Sequence, residues 1–266
     1  MAQTLAAFRP AAIAGRFYPA EREDVLADVD RLLDEARATE HGASAAPPDA
    51  LLVPHAGWIY SGPTAAIGYA SLGARSFDRV VLIGPAHRVP LVGIAHPGAR
   101  AMQTPLGLVP IDVDALEGIA ASPAAHAQEH CLEVQLPFVQ RLMPGARVVP
   151  LLVGRAPPRE VHDVLARLWS DERTLVLVSS DLSHFLPYDV ARAIDEETCD
   201  EIVSLHASEV TSERACGAAA IAGFLPLCAE RGMRAELLDA RNSGDTAGPR
   251  SEVVGYASIA FRGGAA

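Results

Sequence analysis

Three histidines in this sequence each follow a short apolar run of the kind that forms a buried strand. The three pairs are residues 51–54 (LLVP) with His55, residues 79–86 (RVVLIGPA) with His87, and residues 174–180 (TLVLVSS) with His184. If these strands are parallel neighbours in one sheet, their carboxyl ends meet at one edge, where open α/β sheets bind their ligands. We therefore expect the three imidazoles to converge on one cleft.

Clustered imidazoles of this kind indicate a metal site. A single histidine after a strand is usually structural, but a packing histidine has no reason to recur at three strand ends. Imidazole ligands with an open coordination position suit iron, copper or zinc. His184 follows Asp181 and Ser183 closely, so it can be a ligand or a general base, since an acid–base imidazole needs an orienting partner.

A second histidine segment allows two interpretations. His126, Glu129 and His130 match H-x-x-E-H, the inverted zinc-protease pattern, which needs both histidines on one helix face. The Ala/Pro/Ser-rich residues 122–130 predict a loop instead, which disfavours the protease. The alternative is that His130 and Glu133 lie at a helix start and face the cleft.

Cys216 lies at the start of an apolar, small-residue stretch that predicts a helix over residues 216–231. The positive end of a helix lowers a thiol pKa and favours the thiolate, which is the form that binds metal. We therefore expect Cys216 to be the most readily oxidised thiol of the metal-free protein. Cys199 and Cys228 are better explained as small buried hydrophobic residues.

The composition excludes several classes of function. The chain has 266 residues, half of them hydrophobic, and a net charge of −11 without a basic cluster, which disfavours nucleic-acid binding. All 22 basic residues are arginine, so Schiff-base chemistry, a pyridoxal phosphate site and a P-loop are excluded. No C-x-x-C pair, signal peptide or membrane-spanning run is recognisable, which predicts a cytoplasmic protein without a membrane partner.

Apolar strands alternate with helical patterns along the chain. Strands are predicted at residues 51–53, 79–84, 89–95, 147–154, 174–180, 234–238 and 252–261, with a loop at 41–48. Helices are predicted at 21–38, 63–72, 112–121, 132–143, 157–169, 189–205 and 216–231. This alternation predicts a single α/β domain over residues 1–266, with a largely parallel central sheet covered by helices on both faces.

Seven ordered motifs give the chain a specific family resemblance. They are PHAGWIYSG, IGPAHRVPL, TPLG, EHCLEVQLPF, VSSDLSHF, the pair Cys216–Gly217, and VVGYAS. In this order they resemble the Memo family, whose bacterial members are often called AmmeMemoRadiSam system protein B. The resemblance spans residues 15–261. The family fold is similar to that of class III extradiol dioxygenases, which bind non-haem Fe(II) through two histidines and a glutamate and use another histidine as acid–base catalyst.

The resemblance implies roles for particular residues. His55 and His87 match the family's metal-binding histidines, and Cys216 matches its cysteine ligand. His184 matches the acid–base histidine, with Asp181 beside it, and His130 matches a further cleft histidine. A thiolate in place of a carboxylate argues against ordinary catechol cleavage. The chain departs from some members at Arg88 and at residues 218–220, neither of which is a proposed ligand.

Two functions of different classes follow from these observations. The first is a metal-dependent oxidoreductase related to the extradiol dioxygenases, with Fe(II) as the expected cofactor and copper or zinc as alternatives. The second is a protein that binds a metal or a peptide in the same cleft without turning over a substrate. A zinc hydrolase is a weaker third. The family resemblance also implies a functional link to AMMECR-type and radical SAM proteins.

Overall fold

A nine-stranded sheet forms the centre of the structure, a computed structural model that describes residues 5–39 and 46–263. The strands of the described residues are β1 (Ala50–Val53), β2 (Arg79–Pro85), β3 (Ile94–His96), β4 (Ala101–Thr104), β5 (Gly107–Pro110), β6 (Ala120–Ala121), β7 (Arg147–Val153), β8 (Thr174–Ser179), β9 (His184–Leu186), β10 (Arg234–Asn242) and β11 (Val253–Arg262). Eight strands of the sheet follow the order β10-β11-β1-β8-β2-β7-β3-β6, and the ninth, β9, pairs with β11. The remaining two, β4 and β5, form a separate hairpin.

The central strands β1, β8, β2 and β7 are parallel neighbours. Their residues are almost all apolar and buried, as expected for parallel strands covered on both faces. Antiparallel pairing occurs between β1 and β11, β10 and β11, and β3 and β7. The sheet is therefore mixed but mostly parallel. The register brings Val53 beside Ser179 and Val178 beside Ile83, so the ends of β1, β8 and β2 are level.

Seven α-helices accompany the sheet within the described ranges. They are α1 (Arg22–Arg37), α2 (Trp58–Ala70), α3 (Pro123–Ala127), α4 (Leu136–Leu142), α5 (Pro158–Leu168), α6 (Tyr188–Val203) and α7 (Ala218–Glu230). None of these helices is long and apolar enough to cross a bilayer, over residues 5–39 and 46–263.

Side-chain alternation along β11 shows that helices cover both faces of the sheet. Ser258 lies against Gly68 of α2, where an added Cβ would be only 2.9 Å from the Ser258 hydroxyl. Phe261, three residues further along the strand, packs against Phe224 of α7 with 4.8 Å between the ring centroids. Residues an odd number apart in a strand point to opposite faces. The predicted α/β class with two helical layers is confirmed.

The predicted start of the second helix at Pro63 is wrong. α2 begins five residues earlier, at Trp58, and Pro63 lies inside it. The cause is tertiary, because the Trp58 N–H donates to the Phe17 carbonyl (2.7 Å) and the indole packs against Phe138 at 5.0 Å between ring centroids. The local sequence pattern around Pro63 does not depend on these contacts and therefore cannot predict where the helix begins.

The region between β5 and α4 also differs from its prediction. A single 3-10 turn, Asp114–Leu116, replaces the predicted helix over 112–121, because Gly118 adopts a φ of +78° and the chain then enters β6. The predicted loop 122–130 contains α3, which Ser122 caps by accepting a hydrogen bond from the third residue of the helix.

Most other predicted elements are confirmed with shifted boundaries. The strand predicted over 89–95 is reduced to the short β3, and β10 continues four residues beyond the predicted end at residue 238. The helix predicted from residue 132 begins at Leu136, with Pro137 in its first turn. Residues 41–45 of the predicted loop 41–48 lie outside the described part of the chain.

His126 in α3 is a core histidine, and its burial predicts a pH-dependent stability. Its Nε2–H donates to the Ala95 carbonyl (2.9 Å), and burial lowers the pKa of the ring to about 4 from 6.5. Because the unfolded chain binds this proton first as the pH falls from 6.5 towards 4, the folded state loses stability over that window. We expect His126→Gln, which keeps a donor, to lose about 3 kcal/mol less than the wild type between pH 7 and pH 4. Urea unfolding at several pH values measures this; parallel curves for the two proteins would contradict it.

Candidate metal centre

The predicted convergence of histidines occurs at the carboxyl edge of β1, β8 and β2. His55 follows β1 and His87 follows β2, and their ring centroids are 5.2 Å apart. His184 is the first residue of β9, which follows β8. Together with His87 and Cys216, it lines a cleft of about 710 Å³. Strand order places these residues together, since β8 lies between β1 and β2.

Hydrogen bonds leave the Nε2 atom of His55 available for a ligand. The Ser179 hydroxyl donates its one hydrogen to the Cys131 carbonyl (2.7 Å), so it accepts from His55 Nδ1–H at 3.0 Å. The other ring nitrogen, Nε2, lies 3.2 Å from Cys216 Sγ. Burial, and then the neighbouring His87, hold the pKa of His55 well below its usual value. The imidazole is thus neutral, as a metal ligand must be.

His87 is also anchored through its Nδ1 atom, by Glu129, a residue that was not predicted to belong to the site. The buried Glu129 carboxylate accepts from His87 Nδ1–H (2.9 Å) and from the His87 backbone N–H (2.6 Å). Burial alone would raise the Glu129 pKa, but the nearby imidazoles of His130 and His87 outweigh it and lower the pKa. Glu129 therefore orients His87 with Nε2 free, as carboxylates do for metal-binding histidines. The signals for Glu129 in the sequence were its place in the H-x-x-E-H pattern and in the motif EHCLEVQLPF, directly before His130.

His130 completes a group of three imidazoles. One nitrogen from each of His55, His87 and His130 lies within 4.8 Å of the others. His130 Nδ1 is 3.0 Å from a Glu129 oxygen, but the N–H direction misses it, so this buried nitrogen has no hydrogen-bond partner in the described structure. A buried polar atom without a partner needs an explanation, and an ion held by the imidazole cluster would supply one.

A second group of potential ligands comprises His87, Glu129 and Cys131. The Cys131 thiol donates to the Pro85 carbonyl (3.1 Å), and burial raises the pKa of this thiol well above its usual value. Cys131 is thus protonated and hydrogen-bonded, and the Glu129 carboxylate is engaged by histidines. This group fits a metal less well than the three imidazoles.

Cys216 lies next to His55, but its thiol differs from the expectation of a lowered pKa. The residue precedes α7 by two positions and accepts from the Asp181 backbone N–H at 3.3 Å. Burial, and then the Asp181 carboxylate, raise the pKa of Cys216 to about 12. Desolvation of a thiolate outweighs the partial charge of the helix end here. The thiol is protonated until a cation provides the compensating charge.

The raised pKa changes the expected reactivity of Cys216. In the metal-free protein at neutral pH, its thiolate fraction is far below that of a thiol with the usual pKa, because burial disfavours the charged form. It is still the one partly exposed cysteine, since Cys131, Cys199 and Cys228 are buried. We expect slow alkylation by iodoacetamide at pH 8, with Cys216 modified before the other three, measured by peptide mass spectrometry. Modification of Cys199 or Cys228 first would contradict this order.

Asp181 and His184 lie at the site but do not pair with each other. The buried Asp181 carboxylate accepts from the His55 backbone N–H at 2.6 Å, and among the described residues His184 forms no side-chain hydrogen bond to it. Asp181 thus fixes the chain that carries His55. His184 sits opposite Val254 in the β9–β11 ladder, and the next residue, Phe185, has a φ of +58° and a 70% exposed side chain.

One expectation for the segment around residue 130 is wrong, and the zinc-protease arrangement that the sequence disfavoured is absent from the described part of the chain. Glu133 does not face the cleft, because it is fully buried in an ion pair with Arg9 and accepts from Tyr18 Oη–H at 2.8 Å. The zinc-protease pattern also fails, because His126 turns away from His130 and bonds to a strand carbonyl. Only His130 of that pattern's two histidines reaches the site.

The fold and this site define an α/β protein with a candidate metal centre of imidazoles and a cysteine at its sheet edge. The chain belongs to the Memo family, since the family model described as Memo-like protein matches residues 9–260. A MEMO1 family protein of Archaeoglobus fulgidus is 35% identical over 269 residues, covering 94% of this chain and 98% of the relative. Those of Pyrobaculum arsenaticum and Aquifex aeolicus are 34% and 33% identical, each covering 95% of this chain and 98% of the relative.

Proposed function

We propose that this protein holds one redox-active metal ion, Fe(II) in preference to copper, and is an oxidoreductase acting on a small molecule. The proposed ligands are His55, His87 and Cys216. The observation that carries the proposal is that two neighbouring imidazoles are each anchored through Nδ1. Each Nε2 therefore carries a lone pair at one sheet edge, and that of His55 faces the third proposed ligand, Cys216 Sγ, at 3.2 Å. The preference for iron rests on the resemblance to the non-haem iron dioxygenases, because imidazole also suits copper and zinc.

The other residues of the cleft would support this function in separate ways. When bound, the ion would supply the redox chemistry that protein side chains lack. His184 is proposed to accept and return a substrate proton from the cleft wall. Asp181 holds the His55 backbone, and Glu129 holds His87 by two hydrogen bonds. His130 adds a third imidazole beside the two proposed ligands, with Phe17 covering it at 4.8 Å between ring centroids.

The second candidate is a binding protein that uses the same cleft without turnover. The cleft wall combines His184 with the apolar Leu186 and Ile194. Phe185, adjacent to His184 in the chain, offers an exposed aromatic ring. A peptide with an apolar side chain fits such a surface.

Anaerobic purification with metal analysis, followed by oxygen-uptake assays on catechols and other small reductants, tests the proposal. We expect about one iron per chain and oxygen consumption with at least one reductant. His206→Ala is the matched control, because His206 is exposed, contacts Glu201 and does not line the cleft. Metal without any turnover would favour the binding protein. A wild-type protein that takes up no metal would refute the oxidoreductase and leave only the peptide-binding form of the second candidate.

A further inference from the structure

Arg9 is a buried charged residue outside the cleft, and its guanidinium contacts three oxygens of the segment that carries Glu129 and His130. Its side chain is only 5% exposed. Nε–H donates to the His126 carbonyl (3.0 Å), Nη2–H donates to the Glu129 carbonyl (2.6 Å), and Nη1 forms the ion pair with Glu133. A planar guanidinium suits such multiple contacts because its donors have a fixed geometry.

Both partners of this ion pair are held independently. The Arg9 backbone pairs with the edge of the β4 hairpin, since its N–H donates to the Ala101 carbonyl and its carbonyl accepts from the Gln103 N–H (2.8 Å each). The Glu133 carboxylate also accepts from the N–H groups of Ala12 and Ile13. Each nitrogen of the Arg9 guanidinium and both oxygens of the Glu133 carboxylate thus have a hydrogen-bond partner, the condition under which a buried pair is tolerated.

The contacts continue from Arg9 to the proposed ligand His87. Between α3 and the 3-10 turn Glu133–Gln135, the chain passes through Glu129 without pairing to a strand of the sheet. The Glu129 carbonyl accepts a hydrogen bond from Arg9, and the Glu129 carboxylate accepts hydrogen bonds from His87 Nδ1–H and from the His87 backbone N–H. A side-chain anchor therefore sets the position of Glu129.

We infer that Arg9, through its ion pair with Glu133, is a positioning residue for the metal centre: it fixes Glu129 so that His87 presents Nε2. The inference rests on the proposed function only in taking His87 as a ligand. The ligand concerned is the proposed metal ion, and Fe(II) alone is used to measure its binding. The N-terminal segment thus acts on the site at a distance, although it supplies no ligand.

The test uses variants that avoid leaving an unpaired buried charge. The double variant Arg9→Met with Glu133→Leu removes both charges, a replacement that is often tolerated in protein interiors. We expect it to bind Fe(II) about 10–100-fold more weakly than the wild type in anaerobic calorimetry, as when residues that orient metal ligands are substituted in other proteins. The control removes the Arg79–Asp112 ion pair in the same way, by Arg79→Met with Asp112→Leu, because this pair lies at the opposite end of β2.

A second readout separates positioning from general destabilisation. In the metal-free wild type at pH 7.5, ¹⁵N NMR of the imidazoles should show His87 with hydrogen on Nδ1 and a free Nε2. The double variant should show a mixture of the two tautomers. In a double-mutant cycle, adding Glu129→Gln to the double variant should cost less Fe(II) affinity than Glu129→Gln costs in the wild type, because Arg9 acts through Glu129.

The outcomes distinguish this inference from the proposed function. A wild type that binds no Fe(II) refutes the proposed function, while the His87 tautomer still decides the inference. Unchanged affinity together with an unchanged tautomer in the folded variant that lacks Arg9 and Glu133 overturns the inference, and so does an equal loss of affinity in the control that lacks Arg79 and Asp112. If the double variant does not fold, Arg9→Lys decides instead: it keeps the charge but cannot reach three oxygens, and wild-type affinity and tautomer in it would overturn the inference.

Discussion

His55→Ala and His87→Ala are each expected to abolish stoichiometric metal binding while the protein stays folded. Each substitution removes one of the two proposed Nε2 ligand atoms, and metal affinity depends on having the full ligand set. The fold should persist because both residues lie beyond the strand ends, and β1 and β2 keep their ladders. Anaerobic calorimetry with Fe(II) and with Cu(I) measures the loss, and circular dichroism checks the fold.

The matched control is again His206→Ala, which removes an imidazole from an exposed position and should leave the affinity unchanged. Unchanged metal affinity in both His55→Ala and His87→Ala would refute the assignment of these residues as ligands. Loss in His55→Ala alone would instead point to a site built on His55 and Cys216, whose donor atoms are 3.2 Å apart.

His184→Ala is expected to separate metal binding from turnover. His184 lines the cleft beside His87 and Cys216, but it is absent from the group of imidazoles within 4.8 Å of one another. The variant should therefore bind Fe(II) within about tenfold of the wild type and lose about 100-fold or more in oxygen consumption. Both proteins are compared with a reductant that the wild type accepts.

The result also decides between the two candidate functions. Full activity in metal-loaded His184→Ala would rule out the acid–base role. Loss of the metal itself would make His184 a ligand. If the wild type turns over nothing and the variant changes only the affinity for a peptide or metal, the protein is a binding protein.

The amino-acid sequence alone determined the class of fold and the edge of the sheet that carries the site. Runs such as 79–85 and 174–180 are apolar at every position except at their ends, a pattern typical of a strand covered on both faces. A histidine just beyond such a run must lie near the carboxyl edge. For this reason the convergence of His55, His87 and His184 could be predicted before any contact was known.

Tertiary structure decided which neighbours each site residue has, because those neighbours come from distant parts of the chain. Glu129 is 42 residues from His87 in sequence, and Arg9 is 124 residues from Glu133, so no local spacing relates them. The pKa of Cys216 was mispredicted for a related reason. Its position before a helix is a local feature, whereas the burial that raises its pKa is produced by the packing of the whole domain.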